Sequence, residues 1–345
     1  MRYFLDSNHQ FYKQPQKFDK HTPIELLRMS LGANLYVPAT EKDKIFAAMN
    51  SNFYGVGSIT LCMEDAIKEE DNDKAINVLV SFVVALDSLD GAFVADHLPL
   101  IFIRVRHQDQ FKKLLEVLKH YNLKYITGFV FPKINSQNAV GYFSILREFS
   151  ANQNELFYAM PIIEDGKVMN KETRIEELLA IKAILDDNKD VVLNIRVGGT
   201  DFSSLFGLRR SMQHTIYDTK VVADCLADIV NMLGRSKDGY VISGPVWEFY
   251  SVDKESAEIS GLKKELLLDI DNGFQGKTVI HPSHIDVVNE AYIVSQNDYM
   301  DACTISENNG GVYASEGRNR MNEASPHLNW AKKTMMRAEI FGVLK

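Results

Sequence analysis

Charged side chains recur directly after short apolar runs in this chain: Glu64 and Asp65, Arg104 and Arg106, Lys133, Glu164 and Asp165, Asp201 and His281. Carboxylates without His or Cys neighbours suit a hard, oxygen-preferring cation such as Mg²⁺, which takes one or two carboxylates and keeps other positions open. Glu164 and Asp201 are the candidate ligands. The forked guanidinium of Arg104 suits a substrate carboxylate or carbonyl oxygen. A cation and an arginine acting together can stabilise an enolate oxygen as it forms. Each residue alone also has a plainer reading, since an acid after a strand often caps the next helix. Independent caps, however, need not bring arginine and lysine to the same places.

The apolar runs that precede these residues read as strands: 33–37, 58–63, 100–105, 128–132, 156–163, 191–197, 240–243 and 277–280. Between them, 110–121, 173–185, 219–233 and 261–270 carry apolar residues at helical spacing. Eight βα units over roughly 250 residues match a (β/α)8 barrel, whose active site lies past the C-terminal ends of its strands. A doubly wound nucleotide fold fits less well. The only glycine-rich candidate, GVGSIT at 55–60, precedes a strand instead of following one.

Residues 76–99 are longer than one helix needs and are expected to carry an extra turn. The expected organisation is a polar arm over 1–22, the barrel over 23–300, and a loop and helix over 301–345 acting as a lid or oligomer contact. A 345-residue chain with 46% hydrophobic and 24% charged residues has ordinary globular composition and a sizeable core. Its formal net charge of −8, without a basic stripe, argues against nucleic acid as a partner. Cys62, Cys225 and Cys303 are far apart, so neither a zinc site nor a disulfide framework is expected and a reduced cytoplasmic setting fits. No apolar leader or 18-residue uncharged apolar run is present, so no membrane association is expected.

Several segments, in order, resemble the citrate lyase beta-subunit-like branch of the HpcH/HpaI aldolase family, which are magnesium-dependent (β/α)8 carbon-carbon lyases. The likeness runs from about Leu31 to Gly342: LYVPA (35–39), LCMEDAI (61–67), IRV (103–105), FPKI (131–134), MPIIED (160–165), GGTDFSSLFG (198–207) and GFQGKTVIHPSHIDVVN (273–289). The last is the most specific. The resemblance implies that Glu164 and Asp201 are the metal ligands, for Mg²⁺ or alternatively Mn²⁺, and that Arg104 grips the substrate oxygen. RMNEASPHLNWA (320–331) is similar to the family's C-terminal acidic segment, which often closes over a neighbouring subunit's site. Glu323 then becomes a candidate general acid/base, with helix capping as the equal alternative. Glu64 and Asp65 are expected to orient the site, while Arg106, Lys133, Gly199 and Thr200 are expected to contact substrate. The resemblance also implies a homo-oligomer, trimeric or hexameric, and an acyl thioester of coenzyme A as the usual substrate, although no coenzyme A site is evident in the sequence.

The chain departs from the family pattern in three places. Cys62 replaces an aspartate, Arg106 stands where relatives usually have asparagine, and Arg209 and Arg210 follow the metal segment. The added arginines imply a more anionic substrate, unless salt bridges absorb them. The expected activity is cleavage or condensation of a carbon-carbon bond beside a carbonyl, on a 2-oxo acid or acyl-thioester-like anion. Three alternatives remain open: a lyase for a phosphorylated substrate without coenzyme A, a Schiff-base aldolase using Lys133, and a barrel that has lost its chemistry and serves as a binding or scaffold subunit.

Overall fold

The computed structural model describes residues 1–5, 7–308, 310–315 and 317–345. Eight parallel strands form its centre: β1 (Ala33–Pro38), β2 (Ser58–Cys62), β3 (Leu100–Arg104), β4 (Ile126–Phe131), β5 (Tyr158–Ile163), β6 (Ile195–Val197), β7 (Ile242–Ser243) and β8 (Lys277–Val279). Each pairs with its sequence neighbours, β1 pairs with β8, and a bridge between Gly244 and Lys277 joins β7 to β8, so the sheet closes on itself. All eight expected strands are present, in a (β/α)8 barrel. Strands such as Ile126–Phe131, apolar but for Thr127, are buried at every position. That is the pattern of a parallel sheet covered on both faces.

Helices fill the intervals as expected, including Gln108–Leu118, Lys171–Asp187, Lys220–Leu233 and Ala257–Asp271. The long 76–99 segment resolves into two helices, Asn72–Leu86 and Gly91–His97. The second starts at Asp90, whose carboxylate accepts from the Ala92 and Phe93 amides. Among the described residues, no single helix is long and apolar enough to cross a membrane.

The first 22 residues are less polar in place than their composition suggests. Met1, Tyr3 and Phe18 are buried in the main core. The Tyr3 hydroxyl donates to the Ser30 carbonyl at 2.7 Å, and a Cβ on Gly57 would lie 1.7 Å from that hydroxyl, so only glycine admits the ring. Ser30 and Gly57 both precede strands, which places this segment across the N-terminal end of the barrel.

The C-terminal elements gather at the same end. Helix Ala324–Phe341 packs on helix Gln296–Glu307, which runs across residue 301. Phe341 stacks on Tyr3 with ring centroids 4.6 Å apart, and Lys333 donates to the carbonyl of Gly273, in the turn before β8. Val343–Leu344 pairs antiparallel with Phe11–Lys13. A loop and helix do follow the eighth strand, then, but within one chain the helix is anchored away from the strand ends that carry the charged residues.

Candidate active site

A cavity of about 250 Å³ opens at the C-terminal ends of the strands, lined by Tyr36, Asp65, Arg104, Glu164, Arg196, Gly199, Thr200, Asp201 and Thr278 among others. Barrel geometry explains the assembly, because each residue sits on a strand or just past its end, and closure of the sheet turns those ends toward one axis. Glu164 follows β5 and Asp201 lies in the first turn of helix Gly199–Ser204 after β6. The glycine between them is required sterically. A Cβ on Gly198 would stand 2.3 Å from Glu164 Oε2.

Arg104, at the end of β3, ties the acids together. Its Nη2 lies 2.6 Å from Glu64 Oε2 and 3.1 Å from Glu164 Oε1. Burial works against its charge, but Glu164, Tyr36, Cys62 and Glu64 outweigh burial and hold the guanidinium firmly protonated. Lys133 approaches from β4. Its Nζ is 2.5 Å from Glu64 Oε1, 3.2 Å from Asp65 Oδ2 and 3.9 Å from Asp201 Oδ1. The Lys133 backbone amide donates to Glu164 Oε1 at 3.0 Å, and Lys133 adopts φ 48°, a left-handed conformation that a long side chain rarely takes. Such strain is retained where surrounding contacts over-determine it.

Glu164 is unlike an ordinary carboxylate. Burial pushes its pKa up to about 8; Arg104 and the Lys133 amide pull it down, while Asp201 and Glu64 push it further up. Glu164 and Asp201 are therefore two carboxylates close enough to repel each other in a cavity with no His or Cys among its lining residues. A divalent cation would relieve that repulsion, and all-oxygen donors are the set a hard cation prefers. Among the described residues, no group of three or more His, Cys, Asp or Glu side chains is arranged to enclose a metal. Two carboxylates with open positions remain the Mg²⁺ pattern.

The other expected residues separate into those the fold brings in and those it does not. Gly199, Thr200 and Asp65 line the cavity, and Glu64 reaches it through Arg104 and Lys133. Arg106 does not line it. Its Nη2 donates to the carbonyls of Glu64 (3.0 Å) and Ile67 (2.7 Å), so it holds the turn after β2 instead of facing substrate. Asp165 caps a short helix through the Lys167 amide at 2.9 Å, and His281 accepts from the Ser283 amide. Arg210 is absorbed by Glu265 and Glu248 and packs over Trp247. Cys62 is buried, and burial raises its thiol pKa despite Arg104, as fits a packed core residue.

Glu323 is also outside the cavity in its own chain. It closes the hairpin Val312–Ala314/Met321–Glu323 and begins the C-terminal helix, where its amide donates to His327 Nδ1. Anchoring of that helix at the opposite end of the barrel is the physical reason. Arg196 was not singled out from the sequence, yet it lines the cavity from β6. The signal was present, because I-R-V at 195–197 repeats the tripeptide that carries Arg104.

A family model described as carbon-carbon bond lyase of the TIM-barrel fold matches residues 25–343. No curated protein matches the chain in sequence. Among solved structures, protein CitE from Mycobacterium tuberculosis, in complex with magnesium, acetoacetate and coenzyme A, superposes with a TM-score of 0.60 at 21% identity, over 90% of this chain and 99% of that one. A citrate lyase from Burkholderia xenovorans LB400 gives 0.68 at 14% identity, over 91% and 93%. RipC from Yersinia pestis gives 0.51 at 18% identity, over 75% and 94%. At these identities the likeness is one of fold.

Proposed function

The chain belongs to the carbon-carbon bond lyases of the TIM-barrel fold, and from that premise we propose that it is a Mg²⁺-dependent lyase that cleaves or forms a bond beside the carbonyl of a small anionic substrate. One observation carries this reading: Arg104, Glu164 and Asp201, at or past the ends of three different strands, line one cavity on the barrel's C-terminal face. The M. tuberculosis relative is described with magnesium and acetoacetate, and in another structure with magnesium and pyruvate, which supports a metal and a carbonyl acid here.

Glu164 and Asp201 are the residues that would hold Mg²⁺, which when bound supplies positive charge to a carbonyl oxygen. Arg104 offers its remaining guanidinium hydrogens to the same oxygen and is already fixed by Glu64 and Glu164, so little reorganisation is needed as negative charge develops there. Lys133 and Glu64 act as positioning residues, keeping Arg104 and Asp65 oriented. Gly199 and Thr200 shape the wall beside the substrate. Two carboxylates are candidates for moving the proton: Asp65 at the cavity, and Glu323 supplied by a neighbouring copy in a homo-oligomer. The small cavity favours a 2-oxo acid or the acyl end of a thioester over a bulky skeleton.

The test combines calorimetric titration of Mg²⁺ with carbon-carbon cleavage assays on hydroxyacyl thioesters and hydroxy-2-oxo acids. Wild type should bind Mg²⁺ at one site and lose turnover on chelation, and Glu164→Ala and Asp201→Ala should lose both. Turnover surviving chelation and both substitutions would overturn the mechanism. An intact fold without site-specific Mg²⁺ binding would favour a scaffold role.

A further inference from the structure

Among the described residues three arginines are buried, and two of them have partners on every side-chain nitrogen. Arg28 donates to the carbonyls of Lys189, Val192 and Gly239, and Arg174 donates to Asp224, Asp228 and two carbonyls. Arg196, only 2% exposed, is different. Its Nη2 donates to Thr278 Oγ1, while Nε and Nη1 have no partner. Among the described residues no carboxylate lies within ion-pair distance of it. Tyr36 is its other neighbour, through its hydroxyl and through its ring, 5.7 Å from the guanidinium carbon. Burial, and then the like charge of Arg104, both disfavour the charged form, with Tyr36 alone relieving it.

A buried guanidinium without an ionic partner is costly to keep charged. A fold keeps such a group where an anion completes it, and the place here is specific. Arg196 sits in register with Ile162 of β5 and Ser243 of β7, and it lines the same cavity as Arg104, Glu164 and Thr278. Arg104 already faces three carboxylates, whereas among the described residues Arg196 faces none. The cavity therefore carries a second, unsatisfied anion-binding group besides the one that would face the reacting carbonyl.

We propose that Arg196, assisted by Thr278 and Tyr36, is a specificity-determining residue that receives a second carboxylate of the substrate, so that the enzyme acts on a dianion. This rests on the metal-dependent lyase reading for its reaction but not for its binding test. The planar fork of arginine matches a carboxylate in a bidentate manner. The guanidinium of Arg196 would exchange its unpaired donors for two charge-assisted hydrogen bonds, and the carboxylate would lose its water to a pre-paid positive site.

The experiment is calorimetric titration of the full chain, with and without Mg²⁺, using pairs of equal chain length: 2-oxoglutarate against 2-oxopentanoate, and succinate against butyrate. Wild type should prefer the dianion by at least about 10-fold, as expected for a charged hydrogen-bonded pair. Arg196→Met should bring each ratio close to one while leaving the affinity for Mg²⁺ alone unchanged. Its melting temperature should be equal or higher, because removing an uncompensated buried charge relieves the fold; a merely structural arginine would give a clear fall. Should Arg196→Met not fold, Thr278→Val, which removes the hydroxyl that accepts from Nη2, should lower the ratio several-fold. A preference that persists in both variants, no preference in wild type, or no measurable binding of any dianion overturns the proposal. 3-Phosphonopropionate distinguishes the anion, since binding tighter than succinate through Arg196 would replace the carboxylate assignment with a tetrahedral one. Loss of the Mg²⁺ isotherm with the dianion preference intact would sink the lyase reading and leave this site standing.

Discussion

Arg104 Nη2 stands 3.1 Å from Glu164 Oε1, so the cation that would hold the substrate oxygen also neutralises a carboxylate that would hold the metal. One guanidinium serves Glu64 and Glu164, with Asp65 at 4.0 Å, from a single nitrogen. A lysine at this position could supply charge but not the fork. Arg104→Lys should therefore fold normally and bind Mg²⁺ within a few-fold of wild type, while kcat/KM falls by about 10²–10³-fold, the usual cost of losing an oxygen-stabilising donor. Full turnover in this variant would show that Arg104 is only structural.

Glu64 is the carboxylate on which two cations depend. Its Oε2 meets Arg104 at 2.6 Å and its Oε1 meets Lys133 at 2.5 Å, while its own side chain is almost inaccessible. Glu64→Gln keeps the shape and removes the charge. Mg²⁺ affinity or turnover should fall about 10–100-fold, as for other residues that act through a ligand's orientation. Urea unfolding should show a loss of about 3 kcal/mol, because Arg104 is left under-compensated in a buried place. Unchanged stability and activity together would mean that the three-residue cluster contributes nothing beyond Arg104 and Glu164.

Lys133 bears on the rival Schiff-base chemistry. Burial lowers its basicity, but the hydrogen bond to Glu64 and the charges of Glu64, Asp65 and Glu164 outweigh burial, so the ammonium is more firmly protonated than an ordinary lysine. A nucleophilic lysine needs the opposite, a lowered pKa. Borohydride added with pyruvate should leave the mass of the peptide containing Lys133 unchanged. A reduced adduct on that residue would replace the metal mechanism with an imine one.

The sequence carried the barrel because its strands announce themselves separately. Runs such as LIFI (100–103) and GFVFP (128–132) are apolar throughout, and each is followed by a charged residue at the C-terminal rim, Arg104 and Lys133. Glu164, Asp201 and Arg104 could be named from that order alone. Arg196 could not, because its importance depends on which strands meet when the sheet closes: Tyr36 and Thr278 are 160 and 82 positions away in the chain. Residues 1–22 were misleading for a similar reason. The members that join the main core, Met1, Tyr3 and Phe18, follow no helical or strand period, and the Gly32 and Gly57 backbones that make room for Tyr3 reveal themselves only as spaces that a Cβ would fill. Glu323 was placed by resemblance to a segment that often closes over a neighbouring subunit's site, and within this chain it does not line the cavity.

His284 gives a pH dependence that is independent of the active-site cluster. It is fully buried, its Nε2 lies 3.0 Å from the Phe249 carbonyl, and burial, reinforced by His281 and Lys277, lowers its pKa to about 4 even though the carbonyl pulls the other way. The folded chain thus keeps this imidazole neutral where the unfolded chain, with a histidine pKa near 6.5, takes up a proton. Stability from this group is fully present above about pH 6.5 and is lost as pH falls toward 4, by on the order of 3 kcal/mol. Asp269 acts in the opposite sense, since burial pushes its pKa up to about 6 despite Lys277, so the folded state holds an extra proton between its ordinary value and 6. Subtracting a His284→Gln profile removes the Asp269 contribution to a first approximation. The stability of wild type relative to this variant should therefore be greatest above pH 6.5 and decline steadily to pH 4 in reversible urea unfolding. A difference that stays flat across that interval would mean that the imidazole is already charged inside the fold, with an anion or water beside it.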